Sequence, residues 1–382
     1  MGENAFDFLK EKLREASNWV YLGPTKVGEG HDPYFIAEIG INHNGDFYLA
    51  KRHIEEAAKA GAHAVKFQKR SIKDVAAKEL RDKPQTKEEI KGRTYGEYRE
   101  ALELSFDEYK ELKKVADFHN VAFFATATDI PSVDFLEKVG VPFYKIASFH
   151  ITDLPLLDYI ARTGKPIILS TGAATLEETD EAVATVLRHH HQLVILHCVS
   201  VYPSPDDVIN LNTMKLLRRR YDPLPIGYSG HEQDILPTLT AIAHGATVIE
   251  RHFTLSRTLP GPDHGSVSIE VPMFQDMVLG AARVRKMFGK NEKELLEQEK
   301  AVREKHHKSI VAAVSIPKGA VITADMLVVK SPGYGFKAKE IPMLIGQKAA
   351  MNIEADTVIR KEDIAWEEKS SVISPSSKSV AK

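Results

Sequence analysis

Short apolar runs alternate with amphipathic helical patterns from Tyr34 to about Gly289. Nearly continuous apolar runs are typical of parallel strands covered on both faces, and eight of them predict an α/β fold of the TIM (β/α)8 barrel type. An open doubly wound sheet is the alternative, but its glycine-rich dinucleotide fingerprint is absent after the first run. The runs are YFIAEIG (34–40), AHAVKFQ (62–68), VAFFATA (121–127), PFYKIAS (142–148), PIILST (166–171), LVILHC (193–198), IGYSGH (226–231) and TVIERHFT (247–254).

Helix start signals lie between these runs. Ser105 with Glu108, and Thr175 with Glu178, have capping-box spacing immediately before an amphipathic stretch. One long segment, from Leu80 to Tyr98, is instead highly charged. It is predicted to be a loop after the second strand that acts either as a lid or as a solvated connector.

The segments that flank the barrel have different patterns. Residues 1–33 predict a short amphipathic helix and a hairpin, and the barrel is expected to occupy residues 34–290. A charged linker (291–307) is followed in residues 308–366 by short apolar pairs separated by turns, which predict a small β-rich domain. The polar tail, 367–382, is expected to be disordered.

Composition restricts the kinds of partner. The 382-residue chain has 43% hydrophobic residues, 27% charged residues and a formal net charge of −2, so no overall field attracts nucleic acid or an anionic membrane. No apolar run reaches the roughly 20 residues that a membrane span needs, and the N-terminal stretch lacks the apolar core of a signal peptide. The single cysteine, Cys198, excludes an internal disulfide and fits a reducing compartment. A cytoplasmic protein that acts on small molecules is therefore expected.

Polar side chains concentrate where the predicted strands end, which is where TIM barrels carry their active sites. Residues two apart on a strand point the same way, and a buried unpaired charge is costly, so these side chains are predicted to converge on one site. They are Glu38, Lys66, Gln68, Thr126, Lys145, Ser148, Ser170, Ser229, His231, Glu250 and His252.

Two of these residues suggest a metal site. His231 and His252 end neighbouring strands, and neutral imidazoles would suit a divalent transition metal. The alternative is that each is a core histidine bonded to a backbone carbonyl. Two further histidines are ambiguous: His43 could contact substrate or cap a turn, and His150 could enter the pocket or lie behind it.

The lysines suggest an anion site. Lys66 and Lys145, with the neighbouring hydroxyl groups, form a candidate cradle for phosphate and carboxylate. A Schiff base on either lysine is the competing chemical interpretation, and a surface salt bridge is the non-catalytic one. Glu38 is a candidate general acid or base, or a carboxylate that orients metal-bound water, unless it pairs only with Lys66.

The same strand ends and loops carry the motifs FIAEIGINHNGD, AVKFQK, YKIAS, ILSTGAAT, LHCVSVYPSP, IGYSGHE, VIERHFTL and PGPDHGSVS. These motifs resemble those of the N-acetylneuraminate (sialic acid) synthase family. The motifs occur in that family's order, and the resemblance extends from Tyr34 to Ile364. It implies a TIM barrel followed by an antifreeze-like (SAF) domain, and a domain-swapped homodimer in which each small domain caps the partner's barrel.

The resemblance also implies roles for single residues. His231 and His252 would bind a divalent metal, manganese or else magnesium or cobalt, with Glu38 as the nearby catalytic carboxylate. The residues expected to hold phosphoenolpyruvate are Lys66, Thr126, Lys145, Ser148, Ser170 and Ser229. The residues expected to contact the sugar are Gln68, Ser200, Tyr202 and Asp263.

The implied activity is that of a transferase that condenses phosphoenolpyruvate with open-chain N-acetylmannosamine to give N-acetylneuraminate and phosphate. Three positions depart from the family pattern. His150 stands where many members have an acidic residue, Ser200 where several bacterial members have asparagine, and Ser331 where the bacterial enzymes present an arginine to the partner's N-acyl group. The segments KFQK, RTYGEY and GYSGHE look more like the animal enzymes that use the 6-phosphorylated sugar.

Several functions therefore stay open. The sugar could be N-acetylmannosamine, its 6-phosphate, or a 2,4-diacetamido sugar as in legionaminate and pseudaminate synthases. A Schiff-base pyruvate aldolase would use the same barrel without a metal. A non-catalytic protein with an ice- or carbohydrate-binding module is a third class, which the strand-end cluster of charges disfavours.

Overall fold

The structure is a computed structural model that describes residues 3–85 and 92–366. The tail that was predicted to be disordered lies outside these residues. The chain divides into two units, Met1–Gly289 and Lys290–Lys382. Within the described residues, none of the helices has the length and apolar character needed to cross a membrane.

The first unit begins with a helix, α1 (Glu3–Arg14), and an antiparallel hairpin of β1 (Trp19–Leu22) and β2 (Thr25–Gly28). Leu9 and Leu13 are buried in the main hydrophobic core, so α1 packs its apolar face on the barrel unit. The helix and the hairpin were both predicted.

Eight parallel strands then form a closed barrel. Their side chains are almost all buried, because one face of each strand points into the barrel and the other lies under the helices. The strands are β3 (Tyr34–Gly40), β4 (Ala64–Lys69), β5 (Ala122–Ala127), β6 (Tyr144–Ile146), β7 (Ile167–Ser170), β8 (Leu193–Cys198), β9 (Ile226–Gly230) and β10 (Val248–Thr254). Each strand pairs with the next along the chain, and β10 closes the ring by pairing with both β9 and β3. The predicted TIM barrel is confirmed. A two-residue strand, β11 (Ile269–Glu270), pairs in parallel with the end of β10.

Helices follow the strands around the outside. Their starts obey the local signals in the sequence: Ser105 and Thr175 each form the expected capping box, and Asp46, Asp129 and Asp153 cap three other helices. The helices are α2 (Phe47–Lys59), α3 (Ile72–Val75), α4 (Lys78–Arg81), α5 (Tyr95–Ala101), α6 (Phe106–Phe118), α7 (Ile130–Val139), α8 (Leu154–Ala161), α9 (Leu176–Leu187), α10 (Asp206–Ile209), α11 (Asn212–Arg220), α12 (Leu236–Ala243) and α13 (Val271–Phe288).

The prediction of a loop from Leu80 to Tyr98 was wrong in part. Helix α4 overlaps the beginning of this segment and α5 overlaps its end. Residues 86–91, between the two helices, are not among those that the structure describes. The helix α5 forms because Thr94 caps its N-terminus, accepting a hydrogen bond from the Glu97 backbone N–H, and because Tyr98 packs in a small buried cluster with Ile41 and Leu102.

The second unit has a hydrophobic core of its own. It contains two antiparallel strand pairs, β12 (Ser309–Ala312) with β13 (Leu327–Lys330) and β14 (Lys348–Ala349) with β15 (Ile364–Ala365), and the helices α14 (Lys300–His306) and α15 (Ile341–Leu344). This is the small β-rich domain that the sequence predicted. Its buried residues include Ile310, Ala312, Ile316, Ile322, Phe336, Leu344, Ala349, Ile353, Ile359 and Ile364.

Candidate active site

Charged side chains from the first, second and last barrel strands meet where these strands end. The Lys66 Nζ atom lies 2.9 Å from Glu38 Oε2 and 3.7 Å from Glu250 Oε1, and it donates a hydrogen bond to Thr126 Oγ1 at 3.0 Å. All four residues are buried. The predicted convergence of Glu38, Lys66 and Thr126 is therefore observed, and Glu250 joins them.

A second lysine approaches the same carboxylate oxygen of Glu250. Lys145 Nζ donates to Ser170 Oγ at 2.6 Å and to the Ile146 carbonyl at 2.9 Å, and it lies 4.0 Å from Glu250 Oε1. Glu250 Oε1 thus lies within 4.0 Å of two buried lysines. The sequence analysis placed Glu250 at a strand end without giving it a role, although its position two residues before His252 was a usable signal.

Burial and the neighbouring charges set the protonation of this cluster. Burial raises the pKa of Glu38 to about 7, against the opposing effect of Lys66. Burial also lowers the pKa of Lys145, although Glu250 opposes the change. Burial disfavours charge on Lys66 and Glu250 too, but the surrounding opposite charges outweigh it, so the pKa of Lys66 is raised and that of Glu250 is lowered.

The remaining hydroxyl groups lie around this cluster. Ser229 Oγ donates to Glu250 Oε1 at 3.3 Å, and Ser148 Oγ accepts a hydrogen bond from the Gly172 backbone N–H at 3.0 Å. A Cβ atom at Gly172 would lie 2.4 Å from Ser200 Oγ and 2.7 Å from Ser148 Oγ, so the close approach of these serines requires glycine.

The two predicted metal ligands lie side by side. The rings of His231 and His252 have centroids 5.4 Å apart, and the ring of Tyr202 lies 4.1 Å from that of His231. His231 Nδ1 lies 2.8 Å from the Val199 carbonyl oxygen, which can only accept, so Nδ1 carries a proton and Nε2 is the ring nitrogen available to a metal. Burial lowers the pKa of His252, which favours the neutral imidazole.

These features fit a divalent metal. His252 Nδ1 is buried without a hydrogen-bond partner, and Asp263 and Glu250 are its acidic neighbours. Two imidazoles near such carboxylates are a donor set for transition metals. Within residues 3–85 and 92–366, no group of three or more His, Cys, Asp or Glu side chains is arranged as a metal cage. A metal here would have to complete its coordination with water and substrate, as in open catalytic sites.

The predicted sugar contacts differ in how firmly they are held. Gln68 Nε2 donates to Glu38 Oε1 at 2.9 Å, so its amide belongs to the charged cluster. Tyr202 is about half exposed, with a relative exposure of 51%. Its partial burial raises the pKa of Tyr202, and nearby acidic groups, Cys198 and Asp263 among them, raise it further.

The loop that carries Asp263 is tied to the first βα loop. Asn44 Nδ2 donates to the Pro260 carbonyl at 2.7 Å and lies 3.4 Å from His264 Nε2. Asn42 Nδ2 donates to Ser268 Oγ at 2.9 Å, and that hydroxyl donates to the Asp263 carbonyl at 2.7 Å. The INHNG segment therefore anchors the Asp263 loop on both sides. Its own histidine, His43, is buried against Phe67 and accepts from the Gly45 N–H, which supports the turn interpretation.

Arg70 is a further residue that the sequence analysis did not select. It is buried, and its Nη2 donates to Gln68 Oε1. The signal that could have identified it is its spacing, because Lys66, Gln68 and Arg70 alternate along one strand and its extension and so point the same way.

A closed parallel barrel whose ionisable side chains converge at the C-terminal ends of its strands is the arrangement of a TIM-barrel enzyme. The model of the NeuB family matches residues 53–293, and that of the SAF domain matches residues 307–365. The chain belongs to the NeuB family, whose synthases are enzymes that form sugar acids by condensation.

Individual relatives are similar over almost their whole length. The N-acetylneuraminate-9-phosphate synthase of Homo sapiens is 36% identical over 88% of this chain and 94% of its own. The N,N'-diacetyllegionaminic acid synthase of Campylobacter jejuni is 37% identical over 85% of this chain and 98% of its own. A crystal structure of the N-acetylneuraminic acid synthetase of Leptospira borgpetersenii superposes with a TM-score of 0.64, at 35% identity, over 75% of this chain and 95% of that one.

Proposed function

We propose that this protein is a sialic acid synthase that condenses phosphoenolpyruvate with the open-chain aldehyde of N-acetylmannosamine, giving N-acetylneuraminate and phosphate. Carbon 3 of phosphoenolpyruvate forms a bond to the aldehyde carbon, water adds at carbon 2, and phosphate leaves. The observation that carries the proposal is the pair of buried lysines around Glu250 at the strand ends.

The lysines and hydroxyls provide the binding site for the phosphoenolpyruvate anion. Lys66 and Lys145 would contact its phosphate and carboxylate, and Thr126, Ser170 and Ser229 already lie within hydrogen-bond distance of members of this cluster. Ser148 would complete the site. Because these donors are buried and held in place, they can stabilise the charge that develops on the tetrahedral intermediate without reorganising.

Glu38 is suited to move a proton in this reaction. Its pKa of about 7, raised by burial, allows both protonation states near neutral pH. Its carboxylate faces Lys66 and Gln68, at the junction of the proposed phosphoenolpyruvate and sugar sites. We propose that it accepts the proton of the water that adds at carbon 2.

His231 and His252 would hold a divalent ion, for which manganese is the first candidate and magnesium or cobalt the alternatives. A metal held there would act as a Lewis acid on the aldehyde oxygen. Tyr202, whose ring packs on His231, and Asp263 would contact the sugar next to it. Ser200, beside Gly172, would lie at the same end of the site.

Product analysis tests this assignment. The protein would be incubated with phosphoenolpyruvate and manganese and, in separate reactions, with N-acetylmannosamine, its 6-phosphate, or a 2,4-diacetamido sugar. Mass spectrometry should detect N-acetylneuraminate and phosphate with N-acetylmannosamine. A product from the 6-phosphate alone would favour the activity named for the human relative, and a product from the diacetamido sugar alone would favour a legionaminate-type synthase. Absence of product from all three would refute the proposal.

One observation supports a second candidate. Burial lowers the pKa of Lys145, and a neutral amine is what a Schiff-base aldolase requires. Incubation with pyruvate and borohydride distinguishes the two reactions. A pyruvyl adduct on Lys145 would support the aldolase, whereas an unmodified lysine in an enzyme that turns over phosphoenolpyruvate would support the synthase.

We further propose, from the family resemblance, a cytoplasmic homodimer in which the second unit of one protomer covers the barrel of its partner. The second unit would supply Tyr334 and Lys337 from the segment SPGYGFK as sugar contacts. Ser331 stands at the position where the bacterial members of the family have an arginine. In this unit the Ser331 hydroxyl donates to the His306 carbonyl and accepts from Lys308, so it forms local bonds.

A further inference from the structure

The side-chain amide of Gln68 is held at both ends by groups of opposite hydrogen-bonding character. Its Nε2 donates to Glu38 Oε1 at 2.9 Å, and its Oε1 accepts from Arg70 Nη2. A guanidinium group has only donors and never accepts. Arg70 therefore decides which end of the amide faces Glu38: the oxygen must turn to the arginine, which leaves the NH2 group for the carboxylate.

Arg70 is itself fixed by a second acidic residue, Glu103. Its Nε lies 3.5 Å from Glu103 Oε1, and its backbone N–H donates to Glu103 Oε2 at 3.4 Å. Glu103 also accepts a hydrogen bond from Lys69 Nζ at 2.7 Å. The guanidinium is thus anchored by a carboxylate that lies in the loop between α5 and α6 and is not part of the Glu38 cluster.

Lys69 and Arg70, which are adjacent in the chain, have different environments. Lys66, Gln68 and Arg70 lie on the side of the chain that faces the site, whereas Lys69 lies on the other side, with its Nζ 4.7 Å from the ring centroid of Phe135. Lys69 and Arg70 both pair with Glu103, but the contact with Gln68 is made by Arg70.

We propose that Arg70 is a positioning residue that locks the Gln68 amide with its NH2 toward Glu38 and its remaining hydrogen and lone pair toward the sugar. The inference rests on the proposed function. Without Arg70 the amide is free to turn over, and its oxygen would then face the Glu38 carboxylate, a repulsive arrangement. Glu38 Oε1 and the proposed sugar contact would lose their orientation together. Lys66 would keep its partners Glu250 and Thr126, and Lys145 would keep Ser170, so the phosphoenolpyruvate site should change less.

A double-mutant cycle tests the proposal in the full-length, metal-loaded enzyme with phosphoenolpyruvate and the sugar that the product analysis identifies. Arg70→Met should lower kcat/KM for the sugar about 10-fold or more, with little change in KM for phosphoenolpyruvate. In a Gln68→Leu background the same substitution should have no further effect, because the amide through which Arg70 acts is gone. Arg70→Lys, which keeps a donor and the charge beside Glu103, should restore part of the activity.

Lys69→Met is the matched control. It removes the other partner of Glu103 and should reduce thermal stability without lowering kcat/KM, since Lys69 does not contact Gln68. Wild-type activity in Arg70→Met, or an equal loss with and without Gln68, would overturn the proposal. If Arg70→Met does not fold, Arg70→Lys takes its place in the cycle, and its smaller loss must likewise vanish in the Gln68→Leu background. A wild-type protein that makes no product would instead refute the proposed function.

Discussion

The two buried lysines of the site both lie near Glu250, but they differ in their other carboxylate partners. Lys66 is paired with both Glu38 and Glu250, whereas the carboxylate within 4.0 Å of Lys145, among the described residues, is that of Glu250. Lys66 keeps its charge with the help of two carboxylates, while burial lowers the pKa of Lys145. An anionic substrate would supply the missing negative charge, so we expect its binding to favour the protonated form of Lys145.

Lys145→Met should lower kcat/KM for phosphoenolpyruvate about 100-fold, a loss of ~3 kcal/mol in transition-state stabilisation. Lys66→Met should have an effect of similar size, and the apparent affinity for the sugar should change less in both. Steady-state kinetics with each substrate varied in turn measures this split. Lys165→Met, which removes an outer lysine paired with Glu137, serves as the control and should retain activity.

The histidine pair predicts dependence on a metal. Exhaustive chelation should abolish turnover, and manganese or another divalent ion should restore it. His252→Ala should remain folded but lose metal binding, measured by elemental analysis and by calorimetric titration with manganese. His189→Ala, whose ring pairs with Asp158 on the outer surface, should bind metal like the wild type. Full activity in demonstrably metal-free protein would contradict this prediction.

Two other buried histidines predict an acid-sensitive fold. Burial lowers the pKa of His43 to about 3 and that of His53 to about 4, with His264 and Asp46 as neighbouring groups. Below about pH 6.5 the unfolded chain binds protons that the folded chain excludes, so stability falls as the pH decreases. At pH 5 each histidine should cost about 2 kcal/mol relative to neutral pH.

Thermal unfolding measured between pH 7 and pH 5 checks this dependence. His53→Gln should lower stability at neutral pH but show a shallower decline toward acid, because a glutamine does not titrate. His31→Gln, at an exposed position, should leave the slope unchanged. An identical slope in His53→Gln and the wild type would show that this histidine is not held neutral by the fold.

At the scale of elements, the site depends on loops that are held by one another. Asn44 lies in the left-handed region with φ of 53°, and from there its side chain reaches the loop that carries Asp263. Asparagine tolerates this conformation better than most residues and also supplies the donor, so one residue satisfies both requirements.

Asn44→Gly should loosen the Asp263 loop without straining the backbone. We expect KM for the sugar to rise about 10-fold, while KM for phosphoenolpyruvate stays near the wild-type value. Asn120→Gly is a matched control, because Asn120 has φ of 57° but lies at the end of α6, away from the strand ends. Equal effects of the two substitutions would show that loss of the side-chain bonds is unimportant.

At the scale of the whole molecule, the division after Gly289 separates the candidate site from the second unit. All the strand-end residues belong to the first unit. If the second unit acts only by covering a partner's barrel, its removal should affect sugar binding and turnover but not the metal or phosphoenolpyruvate.

A chain that ends at Gly289 should therefore fold, bind manganese and phosphoenolpyruvate, and lose most turnover. Calorimetric titration and product assays measure these properties separately. Mixing it with full-length His252→Ala chains should restore some activity, because a mixed dimer can place an intact second unit over an intact metal site. Normal turnover by the shortened chain alone would show that the second unit has no part in catalysis.

The pattern of the sequence was sufficient to predict the barrel and the gathering of polar side chains at its strand ends. Alternation of apolar runs and helices is a local property, and so are the capping boxes at Ser105 and Thr175, which form as predicted. The strand-end rule then selects residues such as Lys66 and Lys145 because every parallel strand of a barrel ends on the same side. The partial error between Leu80 and Tyr98 came from a charged segment in which tertiary contacts of Tyr98 favour a helix.

Which side chains become partners when the barrel closes could be decided only by the tertiary structure. Glu38 and Glu250 come from the first and last barrel strands, and they flank Lys66 because β10 pairs with β3. The contact of Arg70 with Gln68 likewise depends on side-chain positions that spacing alone does not specify. The sequence by itself determined which side chains face the site. Their distances, their hydrogen bonds and the resulting charge states were decided by how the ring of strands closes and excludes water.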